Sequence, residues 1–265
     1  MHPPDRGLPE PSFWTRLHFG WSLFWAALVT PPLTAGLLLH NLFRPTARTF
    51  KGWVGAWSRA ILFFAGIRVE VEVRAELPAG RPVVFVANHQ NELDIATCAA
   101  GIPYPYTFLA KAALRRVPFI GWVLARTPCV FVDRSSPRIA IQSLREAAER
   151  VRAGTSVLVY VEGARSWRRA LLPFLRGAFV LAVEAGVPLV PVVVIDNYTV
   201  LDERRWCGRP GTVHLVVGEP IATAGRTRAD VPELMEAARA AMEAELFPAP
   251  AEGPEAAPDV SSAAT

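Results

Sequence analysis

Residues 84–97 read VFVANHQNELDIAT. Val83–Ala87 is a continuous apolar run of strand length, the pattern of a central strand buried on both faces. Asn88 and His89 follow at its carboxyl end, where α/β sheets place their sites. Asp94 comes five residues after His89. On an ideal helix that spacing separates two side chains by about 140°. The two meet only if His89 sits in a turn and folds back onto the start of a helix, with Asn91 as the candidate N-cap. Neutral imidazole is a base near physiological pH, and a carboxylate on its second nitrogen fixes the tautomer and stabilises the imidazolium. Taken alone the pair also fits a structural histidine beside an aspartate. A metal pair is disfavoured, since no third ligand stands at a familiar spacing.

Outward from this segment the pattern repeats. Ile67, Val69, Val71 and Val73 alternate with charged residues, as in a half-buried strand. Further apolar runs of strand length are Tyr106–Ala110, Cys129–Val132, Val157–Val161 and Leu189–Ile195, with Thr212–Val217 as another candidate. Between them, Arg138–Arg152 carries Ile141, Leu144, Ala148 and Val151 on one helical stripe, with Gly154 to end it. Val231–Leu246 reads as a closing helix with Leu234, Ala238, Ala241 and Glu245 one turn apart. The alternation predicts an α/β domain over residues 67–247, with a mixed, mostly parallel sheet flanked by helices.

Upstream the composition changes. No formally charged residue occurs from Leu17 to Phe43, a run of 27 positions bracketed by Arg16 and Arg44. That is long enough to cross a bilayer, but Pro31-Pro32 predicts a break in its middle. Five of the eight tryptophans, Trp14, Trp21, Trp25, Trp53 and Trp57, precede residue 58, like an interfacial aromatic belt. A second apolar stretch, Trp53–Ile67, follows the basic link Arg44, Arg48 and Lys51; it is short for a span and contains Arg59. Residues 13–66 therefore read as a two-helix membrane hairpin with the arginines at the headgroups, lying in one leaflet or else spanning the bilayer; two core helices of a soluble protein are the alternative. Residues 1–12, rich in proline, are expected to be a disordered arm, and the Pro/Ala/Glu/Ser-rich residues 248–265 a disordered tail.

The whole chain is consistent with this division. Its 265 residues are 51% hydrophobic and only 20% charged, with a mean hydropathy of +0.24. Disorder is excluded, and the apolar content is high for a fully soluble enzyme. The net charge is +4, and it becomes +7 without the tail's three acids. A basic, apolar body suits anionic membranes and phosphates. Nucleic-acid binding lacks its usual basic helix or interleaved aromatics. Cys98, Cys129 and Cys207 form no C-x-x-C pair, so neither a disulfide framework nor a zinc ribbon is supported, and a reducing, cytoplasmic setting is expected.

Basic residues recur at the other strand ends. Val159–Trp167 reads VYVEGARSW, a strand followed by Glu162, Gly163, Ala164 and Arg165. Glycine lets backbone approach a ligand closely, and arginine offers a planar fork to a phosphate. Lys111, Arg115 and Arg116 lie just beyond a second strand, and Arg134 closes a third. Together with His89 and Asp94 they predict a site for an anionic substrate.

The order of these blocks resembles the 1-acyl-sn-glycerol-3-phosphate acyltransferases and related lysophospholipid acyltransferases over about residues 70–220. Asn88-His89 through Asp94 is similar to the family's N-H-x4-D block. Lys111, Leu114, Pro118 and Gly121, followed by Phe131–Arg134, resemble its second block. Glu162–Ser166, with Phe174–Ala178 after it, resembles the E-G-T-R-S block, and Val187–Val192 the V-P-x-x-P-V block. Ala164 stands where the family usually has threonine, and Val161 where proline often precedes Glu-Gly.

The resemblance implies transfer of a fatty acyl group from an acyl thioester to the free hydroxyl of a lysophospholipid. The product from 1-acyl-sn-glycerol-3-phosphate is phosphatidate, in phospholipid biosynthesis. His89 is implied as general base and Asp94 as the group that orients it, without a covalent nucleophile. Arg165 and Lys111 are implied to hold the acceptor phosphate, with Arg134 in the same basic set. Glu162 is expected to position Arg165 or the acceptor, and the Gly163 backbone to face the oxyanion. No metal or other cofactor is expected; acyl-CoA or acyl carrier protein is the donor. Membrane lipids are the expected surroundings, at the cytoplasmic face. The departure at Ala164 keeps another acceptor open, such as a lyso-ornithine lipid. A thioester or lipid hydrolase using water is the other alternative.

Overall fold

All four side chains of β2 (Val84–Ala87) are buried, and they divide between two cores. Val84 and Val86 face one, Phe85 and Ala87 the other, as the two-residue period of a strand requires. A strand with no polar face needs cover on both sides. The computed structural model describes residues 10–43, 46–77, 80–116, 121, 126–127, 129–133 and 136–248. Residues 1–9 of the N-terminal arm and 249–265 of the tail lie outside them.

Seven strands form one sheet in the order β1-β9-β6-β2-β5-β3-β4. In chain order they are β1 (Ile67–Val73), β2, β3 (Thr107–Lys111), β4 (Val130–Val132), β5 (Val157–Tyr160), β6 (Leu189–Ile195) and β9 (Gly211–Val217). Only β6 with β9 is antiparallel; every other neighbouring pair in this sheet is parallel. The sheet is thus mixed and mostly parallel. A short helix, α6 (Asn197–Val200), and a separate two-stranded ribbon, β7 (Leu201–Asp202) with β8 (Cys207–Gly208), follow β6.

Three helices cover one face: α4 (Pro137–Arg152), α5 (Gly177–Ala185) and α7 (Val231–Leu246). Ser136 caps α4 by accepting from Ile139 N, with Pro137 in the first turn. The opposite face carries α3 (Leu93–Gly101), and α2 (Ala47–Phe64) packs on it through Leu62 against Leu93 and Ala96. The first helix, α1 (Phe13–Asn41), lies antiparallel along α2: Trp21 Nε1 donates to Phe64 O at 2.9 Å, and Trp57 Nε1 to Thr30 Oγ1 at 2.9 Å. Trp25 stacks on Phe64 with ring centroids 3.8 Å apart. Among the described residues α1 is the one helix long and apolar enough to cross a membrane.

The structure corrects several local expectations. Pro31-Pro32 does not break α1, which runs unbroken for 29 residues. The prolines leave the carbonyls of Ala27 and Leu28 without their usual donors, and the packing along α2 on both sides of the pair keeps the helix continuous. Arg48 and Lys51 belong to α2 rather than to a basic loop, because Thr46 caps that helix upstream of them. Lys51 Nζ turns inward onto Ala99 O instead of toward a headgroup layer. On α4, Ile141 is exposed, and burial falls on Ala147, Ala148 and Val151. On α7 the buried stripe continues through Met242 and Leu246, while Ala241 is exposed and Glu245 receives the Arg74 guanidinium. In β1 the alternation holds, but only Ile67 of its apolar side is buried, since β1 is an edge strand. All three cysteines are free and buried.

Candidate active site

The carboxyl ends of β2, β5 and β6 are adjacent in the sheet. β2 and β6 run directly into polar residues, Asn88-His89 and Asp196-Asn197, and β5 reaches Glu162 after the buried Val161. Asn88 ties two of these ends together, donating from Nδ2 to Val194 O at 2.9 Å and accepting from Val194 N at 2.7 Å.

His89 lies in the turn before α3 and folds back as its spacing to Asp94 requires. Its Nδ1 is 2.6 Å from Asp94 Oδ2. That oxygen also accepts from Gln90 N at 2.5 Å and Asn91 N at 3.0 Å, and Oδ1 accepts from Asn197 Nδ2 at 2.7 Å. Asp94 is wholly buried, and its burial pushes the carboxyl above its ordinary value. Its other protein donors, Gln90 N, Asn91 N and Asn197 Nδ2, are N–H groups that favour the anion and oppose this rise. The His89 side chain keeps 14% of its surface exposed, and its ring stacks on Tyr160 with centroids 4.1 Å apart. With Nδ1 engaged, Nε2 is the nitrogen left for a substrate proton. Glu92 immediately precedes α3 and makes no side-chain capping bond; the capping bond at this end comes from Asn91. The Asn91 amide oxygen accepts from Leu93 N at 3.0 Å, and its Nδ2 donates to Asn197 O and Leu201 O at 2.8 and 2.7 Å.

The loop after β5 is clipped to this turn by main chain. Ser166 N donates to His89 O at 2.8 Å, and Trp167 N to Gln90 O at 3.0 Å. Glu162 braces the same junction: its oxygens accept from His89 N at 3.0 Å and Leu172 N at 2.9 Å. Its carboxylate bonds therefore go to backbone on either side of the loop, not to Arg165. Burial pushes this carboxyl up to about 6, with the two backbone donors opposing. Gly163 adopts φ +68°, where glycine is favoured, and its N–H closes the turn onto Tyr160 O at 3.3 Å.

Arg165 lies at the same mouth, between two acids. Its Nη2 pairs with Glu92 and its Nη1 is 3.3 Å from Glu203 Oε1. Trp167 Nε1 donates to that same Glu203 oxygen at 3.0 Å. Lys111 ends β3, two strands from β2, and its side chain lies outside the described residues, as does Arg134. Arg115 is directed elsewhere: its guanidinium stacks on Phe131 of β4, 4.1 Å from the ring centroid. The structure thus brings together His89, Asp94, Glu162, Gly163 and Arg165.

Asn197, Glu92 and Glu203 were not singled out from the sequence. Asn197 had a signal, a polar residue just past the buried run Leu189–Ile195, equivalent in place to Asn88 after β2. Glu92 and Glu203 had none, since isolated acids in polar turns look like solvated surface.

An acyltransferase family model matches residues 68–195. The chain is 34% identical over 224 residues to 1-acyl-sn-glycerol-3-phosphate acyltransferase beta of Homo sapiens, covering 83% of this chain and 80% of that protein. It is 30% identical over 184 residues to the 1-acyl-sn-glycerol-3-phosphate acyltransferase of Haemophilus influenzae, covering 69% and 76%. In fold it is similar to the crystal structure of the 1-acyl-sn-glycerophosphate (LPA) acyltransferase PlsC of Thermotoga maritima, with a TM-score of 0.73 and 24% identity over 88% of this chain and 95% of that one. With these relatives along most of its length, the chain belongs to the 1-acyl-sn-glycerol-3-phosphate acyltransferase (lysophospholipid acyltransferase) family, a family of O-acyltransferases.

Proposed function

We propose that the protein transfers a fatty acyl group from an acyl thioester to the free hydroxyl of 1-acyl-sn-glycerol-3-phosphate, forming phosphatidate for phospholipid synthesis. The observation that carries this reading is the His89 Nδ1–Asp94 Oδ2 contact of 2.6 Å at the end of a central strand, in a chain whose relatives are named for that reaction. Asp94 fixes His89 with Nε2 facing the acceptor. Nε2 takes the hydroxyl proton as the oxygen attacks the thioester carbonyl carbon. The tetrahedral intermediate then expels the thiolate, and the imidazolium returns the proton to that sulfur. Arg165 contacts the acceptor phosphate as a planar, permanently charged fork, with Lys111 and Arg134 adding positive charge. Glu162 positions the His89 backbone rather than the substrate. The donor is acyl-CoA or acyl carrier protein, and the chemistry of this site calls for no metal or cofactor.

Residues 13–66 form the membrane-associated element and residues 67–247 the catalytic domain, at the cytoplasmic face of the cell membrane. Support comes from α1, which presents Phe13, Trp14, Leu17, Trp21, Phe24 and Leu28 outward and has only Leu37 and Asn41 buried. Such a face suits the boundary between headgroups and acyl chains, and it keeps the enzyme on the leaflet that holds its acceptor.

The test is a product assay on purified protein with a panel of lysolipids and both donor types, read by mass spectrometry. Phosphatidate is the expected main product, and His89→Ala is expected to lose about 10²–10⁴-fold in rate. Free fatty acid in place of acyl-lipid, or near wild-type turnover by folded His89→Ala, overturns the reading.

A further inference from the structure

Arg165 is not a bare cation waiting for an anion. Its two terminal nitrogens are divided between Glu92 on Nη2 and Glu203 on Nη1. The two acids differ in how firmly they are held. Glu203 sits in the turn between β7 and β8, its side chain 20% exposed, and its Oε1 also accepts from Trp167 Nε1 at 3.0 Å. Trp167 is fixed in turn: its backbone is left-handed at φ +50°, its N–H is clipped to Gln90 O, and the Arg204 guanidinium lies 4.4 Å from its ring centroid. Arg204 is itself paired through two nitrogens with Asp202. Glu92, by contrast, has a side chain 48% exposed and makes no capping bond at the start of α3.

We propose that these two acids set acceptor selectivity through Arg165: Glu203 fixes the guanidinium, and Glu92 occupies the anion position that an acceptor's phosphate must take. This rests on the reading of Arg165 as the phosphate contact. An incoming phosphate has to displace the Glu92 carboxylate and then lie near two acids. A dianionic phosphomonoester gains more from the guanidinium than a monoanionic phosphodiester, and it is also repelled more by a neighbouring carboxylate, so Glu92 tempers the preference of Arg165 for lysolipids that end in phosphate. The exposed member gives way because a pair in contact with water is worth little. Glu203 stays, because releasing it would also strand the Trp167 indole N–H. Glu203 is therefore a positioning residue, and Glu92 a specificity-determining one.

The experiment measures initial rates of the full-length enzyme in mixed micelles, with lysophosphatidate or lysophosphatidylglycerol as acceptor. Wild type is compared with Glu92→Gln, Glu203→Gln and Arg165→Lys. Glu92→Gln is expected to lower the KM for lysophosphatidate about threefold, the size of a partly exposed ion pair, and to widen the preference for phosphomonoester over diester. Glu203→Gln is expected to raise KM for both acceptors by about threefold to tenfold, with a smaller change in kcat; Glu203→Asp serves as its check for folding, with partial recovery expected. Arg165→Lys separates the two levels of the argument. If it leaves the KM for lysophosphatidate unchanged, the phosphate contact itself is wrong. If it raises that KM while Glu92→Gln alters neither KM nor selectivity, the role of Glu92 alone is overturned. A Glu203→Gln effect confined to kcat overturns its role as a positioner.

Discussion

Every donor on Asp94 comes from within a few residues of it except Asn197, which arrives from the end of β6. That explains what could be read at residue scale. The His89–Asp94 contact was legible because a five-residue spacing across a strand–turn–helix junction allows only one way to meet. The Asn197 bond was not, because it depends on which strand lies beside β2. Glu162 was legible as a site residue, but its partners were not, since main-chain N–H groups leave no trace in a sequence. Those partners give a measurable consequence. Burial raises the Glu162 carboxyl from its ordinary 4.5 to about 6, so between those values the folded protein binds a proton that the unfolded chain releases. Stability from this group is complete below about pH 4.5 and is lost as pH rises through about 6, a change of about 2 kcal/mol. Glu162→Gln cannot titrate. Thermal unfolding in detergent at pH 4.5 and 6.5 is expected to show a smaller pH dependence for the variant than for wild type. Equal pH dependence in the two proteins would place the titration elsewhere.

At the scale of elements, the strands were read more accurately than the helices. Continuous apolar runs leave little freedom, and β2, β5 and β6 fall within one residue of their expected bounds. Helices were harder because side-chain volume and neighbours decide which part of a stripe is covered. Met242 and Leu246 take core positions that spacing alone offered to Ala241 and Glu245. The prolines of α1 depart from propensity for a related reason: propensity weighs a helix alone, and α1 packs along α2. The α1–α2 contact is close at Gly36, where an added Cβ would lie 2.6 Å from Trp53 Cζ3. Gly36→Ala is therefore expected to part the two helices and destabilise the protein by about 1–3 kcal/mol, the usual size of overpacking. Trp53→Phe in the same chain should recover part of that loss. Recovery is read from thermal unfolding midpoints; a Gly36→Ala protein as stable as wild type would show that the helices pack less closely than described.

For the whole molecule, α1 and α2 have different duties. Phe50, Gly55, Ser58 and Leu62 of α2 are buried, whereas α1 turns most of its apolar surface outward. Removing residues 1–43 is expected to weaken membrane association while the α/β domain still folds; removing residues 1–66 would also strip α2 from α3 and leave insoluble protein. Vesicle flotation and a carbonate wash check this. Retention of full-length protein in the membrane pellet before carbonate, and release after it, is expected of a helix lying in one leaflet; a full-length protein that is monomeric without detergent would contradict the assignment. The clip between the β5 loop and the His89 turn has a different kind of consequence. It is made of peptide groups alone, Ser166 to His89 and Trp167 to Gln90. A change of side chain at position 92, 164, 165 or 203 therefore deletes none of the bonds in this clip, and inheritance is free to vary those four positions while the backbone around the base keeps its form.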